Sequence, residues 1–473
     1  VGRLFVLKEL KNAPVPVAIV VMGYLGPQEL SLFLGSMRLP VHRVALLLMF
    51  CVAAFAFLRG RVIKLHLFDY AFLGFNLWTM LAYIIHLGAG NGIEYGGSLA
   101  LESFGSYFVA RVFIVDEKTF RGALGFVFVA VAIAGAVALP EAVFASHFIH
   151  ETLHKLTGYY HPIAYETRLG LTRAYSFFDH PIHLGTFCSS LFALIWYSER
   201  RRVSRFLKAG IVAGSTFLGL SSAPLLCLGV QGGLSAWDRV TKGIKWRAGI
   251  TAGIIVCGYT VLSLAATRNP FHILATGLTL DPWTGYYRVM IWTHGIESVL
   301  KHPLLGIGLN DWVRPAWMYS STIDAFWLVI AMTMGLPALV LLVVALVSLV
   351  RGVHKARPHI LDLQTQPIRL AWTFALIALS LAGFTVHYWN AIYGYFFFIC
   401  GMAGWMADDL LIKRASLRLR NKMSAGMPRQ KRAAGREFDG TGEPGRGEIN
   451  YPSPAPFPSP LPRPVYAFPR NSS

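Results

Sequence analysis

Charge is what this sequence has least of: Asp, Glu, Lys and Arg make up 14% of the 473 residues, against roughly 25% in ordinary soluble domains. With 55% apolar residues, that shortage excludes a water-soluble fold. Acidic residues are the scarcer sign, 24 against 43 basic. No HExxH, Walker or Ser-His-Asp order is present, so the usual signatures of zinc proteases, P-loop enzymes and serine hydrolases are missing. Cysteine is also rare. Cys51, Cys188, Cys227, Cys257 and Cys400 lie in or beside apolar runs without a CxxC pair, and they read as packing residues, neither metal ligands nor disulfides. The first apolar run has no A-x-A-like site and is followed by further runs, so no cleavable signal peptide is expected.

What the chain has in abundance is continuous apolar sequence. Mean hydropathy is +0.50, and runs near twenty residues recur without the alternation of a barrel strand, which points to membrane helices. Spans are expected near 14–36, 41–58, 67–87, 98–115, 121–139, 181–198, 209–221, 224–238, 248–266, 324–350, 370–388 and 391–412. The pair covering 209–238 reads either as one broken helix or as a tight hairpin. The fold class is thus all-α, a polytopic membrane protein of about twelve helices with two long loops, 140–180 and 267–323.

A formal net charge of +19 would suggest nucleic acid in a soluble protein, but here the basic residues sort by loop. With the N-terminus in the cytoplasm, the loops on that side hold 21 Lys and Arg before the tail and the opposite side nine. The positive-inside rule then places both termini in the cytoplasm and both long loops on the opposite side of the membrane. Residues 1–413 form the membrane domain. The tail 414–473 begins with a basic patch suited to lipid headgroups and passes into Pro-rich, polyproline-like sequence.

Two constellations carry candidate chemistry. The first runs from Arg168 through Arg173 and Asp179 to His180, Pro181 and His183. Asp179 reads either as a helix cap ahead of Pro181 or as a functional carboxylate. Arg173 has the fork that grips a phosphate, with snorkelling to headgroups as the alternative. The second runs from Tyr287 and Arg288 through Trp292 to His302-Pro303 and Gly306-x-Gly308. Its apolar spacing predicts a helix ended by His302-Pro303, with Arg288 and Trp292 on one face. The glycine pair suits a tight turn and is weak as a phosphate motif. This helix reads as amphipathic at the membrane surface or as an aromatic sugar-binding face. His147, His150, His154 and His161 cluster in the first loop, but apart from Glu151 they lack a carboxylate or thiolate companion at conventional spacing, and no metal is expected.

The runs RLGLTRAYSFFDHPIHLGTF, YYRxxIWxxGIExVLKHPLLGIGLNDW and SSTIDAFWLVIAMTMGLPAL resemble the O-antigen ligase and polymerase superfamily, which includes exopolysaccharide polymerases. The resemblance implies a GT-C-like, twelve-helix inner-membrane glycosyltransferase. Such an enzyme acts on undecaprenyl-diphosphate-linked glycan at the periplasmic face, inverting the anomeric carbon without metal or other cofactor. It implies that Arg173 and Arg288 lie near the lipid diphosphate and that His302 belongs to the HP-x-x-G-x-G turn. At the place where ligases of the family carry an acceptor-activating His, this chain has Asp324.

The residues expected to act are therefore Asp324 and His302 in proton transfer, and Arg173, Arg288, Arg168, His180, Tyr287 and Trp292 in binding diphosphate and glycan. Asp324 also reads as an N-cap. Partners implied are the lipid-linked glycan, membrane lipids and polysaccharide chain-length or export proteins, with no nucleic acid. A polytopic transporter and a non-catalytic subunit of an export system are the competing readings. The transporter finds little support in the scarcity of acidic residues within spans and the lack of a visible duplication.

Overall fold

In lipid every backbone N–H and C=O has to be paired within its own segment or a closed sheet, and this chain answers with helices. The structure, a computed structural model, describes residues 10–408 apart from 36, 61–63, 266–272, 274–276, 278, 280–281 and 355–364. The described residues fall in the unit Val1–Ser416. The expectations for the tail 414–473 lie outside them. Among the described residues four helices are long and apolar enough to cross a membrane: Val41–Leu58, Leu67–Leu87, Glu117–Phe144 and Leu336–His354.

Several expected spans are interrupted, each for a local reason. The stretch near 14–36 is helical over Val15–Gly23. Gly26-Pro27 follows, and proline supplies no N–H to continue a helix. The chain then returns as an antiparallel hairpin, Ser31–Leu34 against Met37–Pro40. The 98–115 span lies within a helical run that starts earlier, Ala89–Ala100, with a π-turn at Leu101–Gly105 before Ser106–Phe113. The 181–198 span divides into Pro181–Ser189 and Phe192–Ser198. The ambiguous 209–238 region consists of two helices, Arg202–Leu218 and Ser222–Val240, joined by a short turn in which Leu220 takes φ 42°. The 324–350 span breaks at Gly335 into Phe326–Met334 and Leu336–His354.

The helix Asn390–Gly401 forms the middle of the bundle, with every residue from Ala391 to Gly401 buried. Phe397 stacks on Phe75 of Leu67–Leu87 at 5.7 Å, and Tyr395 meets Phe187 at 4.5 Å. At the start of Leu67–Leu87, Arg111 reaches Asp69 at 3.1 Å and Asp408 at 2.6 Å. That lattice of charges ties three helical segments at one end. The site described next involves the other end, near Tyr83 and Leu87.

Candidate functional site

The first constellation is built on a small hairpin. Thr167–Arg168 pairs with Leu171–Thr172, and below it the Arg173 N–H donates to the Glu166 carbonyl at 2.9 Å. The Arg173 guanidinium is buried and its Nη1 donates to Glu166 Oε2 at 2.6 Å. Its Nε has no hydrogen-bond partner among the described residues. Arg168 stands 3.7 Å from the same carboxylate. Burial works against ionising Glu166, yet the Arg173 hydrogen bond and the two arginine charges hold its carboxyl below the usual range. Glu166, absent from the expected set, is thus the anchor of the arginine pair.

His180 caps the helix Pro181–Ser189, its Nδ1 accepting from the Ile182 N–H at 3.1 Å. The capping role expected of Asp179 belongs to this imidazole. Burial, with Arg173 second, pushes His180 down to about 4, so it stays neutral at physiological pH. Asp179 instead accepts from Asn390 Nδ2 at 2.7 Å. Three histidines of the first loop have separate partners, His150 with Glu29 at 2.7 Å, His154 with the Tyr159 carbonyl and His161 with the Asp179 carbonyl, while buried His147 lies 3.5 Å from Glu141.

The second constellation is positioned by its glycines. Helix Pro282–Lys301 lies against Phe326–Met334 where Gly295 admits Leu328 and Met332. After His302 the chain turns back onto the helix break: Ile307 N–H donates to the Met332 carbonyl at 2.7 Å, Gly308 N–H to Thr333 at 3.1 Å, and Leu336 N–H to Pro303 at 2.7 Å. Gly335 has φ +85° and Gly306 φ +66°, and a Cβ on either would overlap backbone of the facing segment. The HP-x-x-G-x-G turn is therefore a backbone clamp. Its glycine amides are spent on protein carbonyls, His302 on the Gly306 side and Thr333 on the Gly308 side, which removes the phosphate-cradle reading. The His302 side chain is exposed at the helix end.

Asp324 does not cap its helix. Ala325 occupies the N-cap position and no side chain caps there. Half-buried, Asp324 has its carboxyl pushed above the usual range by burial, while the nearby Arg288 charge pulls it back. Arg288 is buried. Trp292 Nε1 donates to the Phe384 carbonyl at 2.8 Å, and Tyr287 OH to the Ser320 carbonyl at 3.4 Å.

Asp324 lines a cavity of about 990 Å³. Its walls carry Arg38 and Arg43 from the hairpin and the helix after it, Glu94 and Glu102, and then His387, Trp389 and Asn390. Of the expected residues Asp324 alone lines it. The others do not, but the segment 383–390 ties the two constellations together. Trp292 bonds Phe384, Asp179 bonds Asn390, His180 meets Trp389 at 6.1 Å, and the Phe326 N–H donates to the Val386 carbonyl at 3.0 Å.

Sequence reading missed this segment because 370–388 and 391–412 read as two spans with two residues between them. The helix Gln366–Ala382 ends earlier, freeing seven residues as a loop. Glu102 was also missed, although an acid inside an apolar stretch is a signal in itself. Arg43 donates to it at 2.7 Å and His42 lies 3.0 Å away. Compared with protein-family models and with curated proteins, the chain matches none.

Chemically, the arrangement offers a largely apolar chamber whose wall carries the carboxylates Glu94, Glu102 and Asp324, the guanidinium groups of Arg38 and Arg43 and several aromatic rings. Among the described residues no group of three or more His, Cys, Asp or Glu is arranged to hold a metal ion.

Proposed function

We propose that the chain is a multi-pass inner-membrane glycosyltransferase of the O-antigen ligase and polymerase kind. In this reading it crosses the membrane about twelve times, keeps both termini in the cytoplasm and transfers glycan from undecaprenyl diphosphate to a sugar hydroxyl at the periplasmic face. The observation that carries the reading is the large cavity with Asp324 on its wall and Arg288 close enough to act on that carboxyl. The segments that line it, the hairpin, the end of Leu67–Leu87, the loop before Phe326–Met334 and the loop 383–390, all belong to the face that the charge count sets opposite the cytoplasm.

In the reaction the acceptor O–H gives its proton to the Asp324 carboxylate as its oxygen bonds to the anomeric carbon. The bond from that carbon to the diphosphate oxygen breaks, with inversion. The leaving diphosphate gains negative charge, and Arg288 and Arg173 offset it. A raised carboxyl pKa favours the step, because it brings the base nearer to the working pH. Glu166 holds Arg173 in place and, being half-exposed, yields its position to an entering diphosphate.

A clean deletion followed by analysis of lipid-linked intermediates and surface glycans tests the proposal. Single repeats accumulating on undecaprenyl diphosphate indicate a polymerase, and finished polymer beside an unmodified acceptor indicates a ligase. Unchanged lipid-linked glycans and surface polysaccharide would contradict both.

A further inference from the structure

Outside the cavity, one group of side chains is left over by the proposed chemistry. Trp283 and Tyr286, on the helix Pro282–Lys301, have ring centroids 5.7 Å apart. Trp317, from the loop that leads to Asp324, lies 6.4 Å from Tyr286 at an interplanar angle of 24°. Tyr287 meets the same indole edge-on at 6.3 Å. Trp283 and Trp317 are 61% and 44% exposed, so indole surface is left uncovered that burial within the protein would have stabilised.

The loop that presents Trp317 is held rigidly. Trp312 and Met318 are buried on either side of it. Trp312 Nε1 donates to the Ser321 carbonyl at 3.0 Å. Arg314 donates to the Met318 carbonyl at 2.7 Å and pairs with Asp311 at 2.5 Å. A loop so tied turns Trp317 outward without losing order when a ligand arrives.

We propose that Trp283, Tyr286 and Trp317 form a platform for the glycan chain, an extended subsite on which pyranose rings lay their C–H faces. This rests on the glycosyltransferase reading. Its support is the continuity of the platform with the cavity. Tyr287 OH bonds the Ser320 carbonyl, and the next four residues, Ser321, Thr322, Ile323 and Asp324, line the cavity. A chain crossing the platform is thereby delivered to the carboxylate. A simple interfacial belt needs only single aromatic anchors at headgroup depth, whereas here two separate segments bring their rings together in a nearly parallel pair.

The test uses full-length protein in nanodiscs. Its probe is the lipid-free oligosaccharide of several repeats released by mild acid from the cell's own surface polysaccharide, with binding followed by calorimetry. Trp317→Ala and Trp283→Ala are each expected to weaken binding about tenfold, while Trp317→Phe, which keeps a stacking face, stays near the wild-type affinity. Equal thermal melting of the variants separates lost contact from lost fold. Wild-type protein that does not bind the probe, or alanine variants that bind it equally well, would overturn the platform. So would quenching of these indoles by brominated lipid with no response to the glycan. Binding requires no transfer, so a protein that binds glycan but forms no glycosidic bond would defeat the glycosyltransferase reading and leave the platform standing.

Discussion

Asp324 is pushed by burial toward its protonated form and restrained by Arg288, which makes its contributions to activity and to stability opposite in sign. As a base it acts only when ionised, so the acid limb of the pH–rate profile is expected above the ordinary carboxylate range. Arg288→Gln removes the restraint and should move that limb to still higher pH, besides lowering turnover. The folded state binds this proton more tightly than the unfolded chain. Stability from the group is therefore greatest below the ordinary carboxylate value and falls as the pH rises toward the raised one. Asp324→Asn is accordingly expected to lose on the order of a hundredfold in turnover while melting no earlier than wild type at neutral pH. Near-normal turnover would remove Asp324 from the mechanism. Arg173→Lys should also lose most activity, since an ammonium cannot reproduce the fork. At this scale single residue types were legible and their partners were not: the Arg173 fork stands out in the sequence, but Glu166 and Asn390 are joined to Arg173 and Asp179 only by folding.

The helix break at Gly335 and the turn at 303–308 are one device. The turn bonds to both sides of the break, fixing Asp324's helix against Arg288's helix. Gly335→Ala combines a left-handed backbone with a collision against the Leu304 segment, and strain alone costs about 1–3 kcal/mol. We expect a lower melting temperature and a loss of activity together. A variant that melted and turned over normally would show the clamp to be dispensable. The other end of the bundle offers a contrast: Arg111→Leu takes the guanidinium away from Asp69 and Asp408, leaving them the Tyr107 hydroxyl and His66, a loss of up to about 3–5 kcal/mol, without touching the cavity. Hydropathy located the apolar runs yet did not resolve these interruptions, because a glycine within twenty apolar residues barely changes a windowed average. The distinctive HP-x-x-G-x-G motif was legible as a turn, and its backbone partners on the facing helix were not.

For the whole molecule, the proposal requires the cavity to open outside the cytoplasm. Reporters fused after residue 160 or 310 are expected to signal the periplasm, and those after 203 or 243 the cytoplasm; a cytoplasmic signal at 310 would contradict the topology and the site at once. Composition alone made a helical chain with membrane-length apolar segments legible, whereas the cavity arises from residues as distant in sequence as Arg38 and Asn390 and has no local signature. The most direct measurement of the central claim is transfer by the purified chain. Wild-type protein and Asp324→Asn would be reconstituted in vesicles with undecaprenyl-diphosphate-linked glycan and an acceptor glycan, and both products followed. The account predicts free undecaprenyl diphosphate and a new inverted glycosidic bond from the wild type, and almost none of either from Asp324→Asn. Intact donor with active-fold wild-type protein, or equal product from the two, would contradict it.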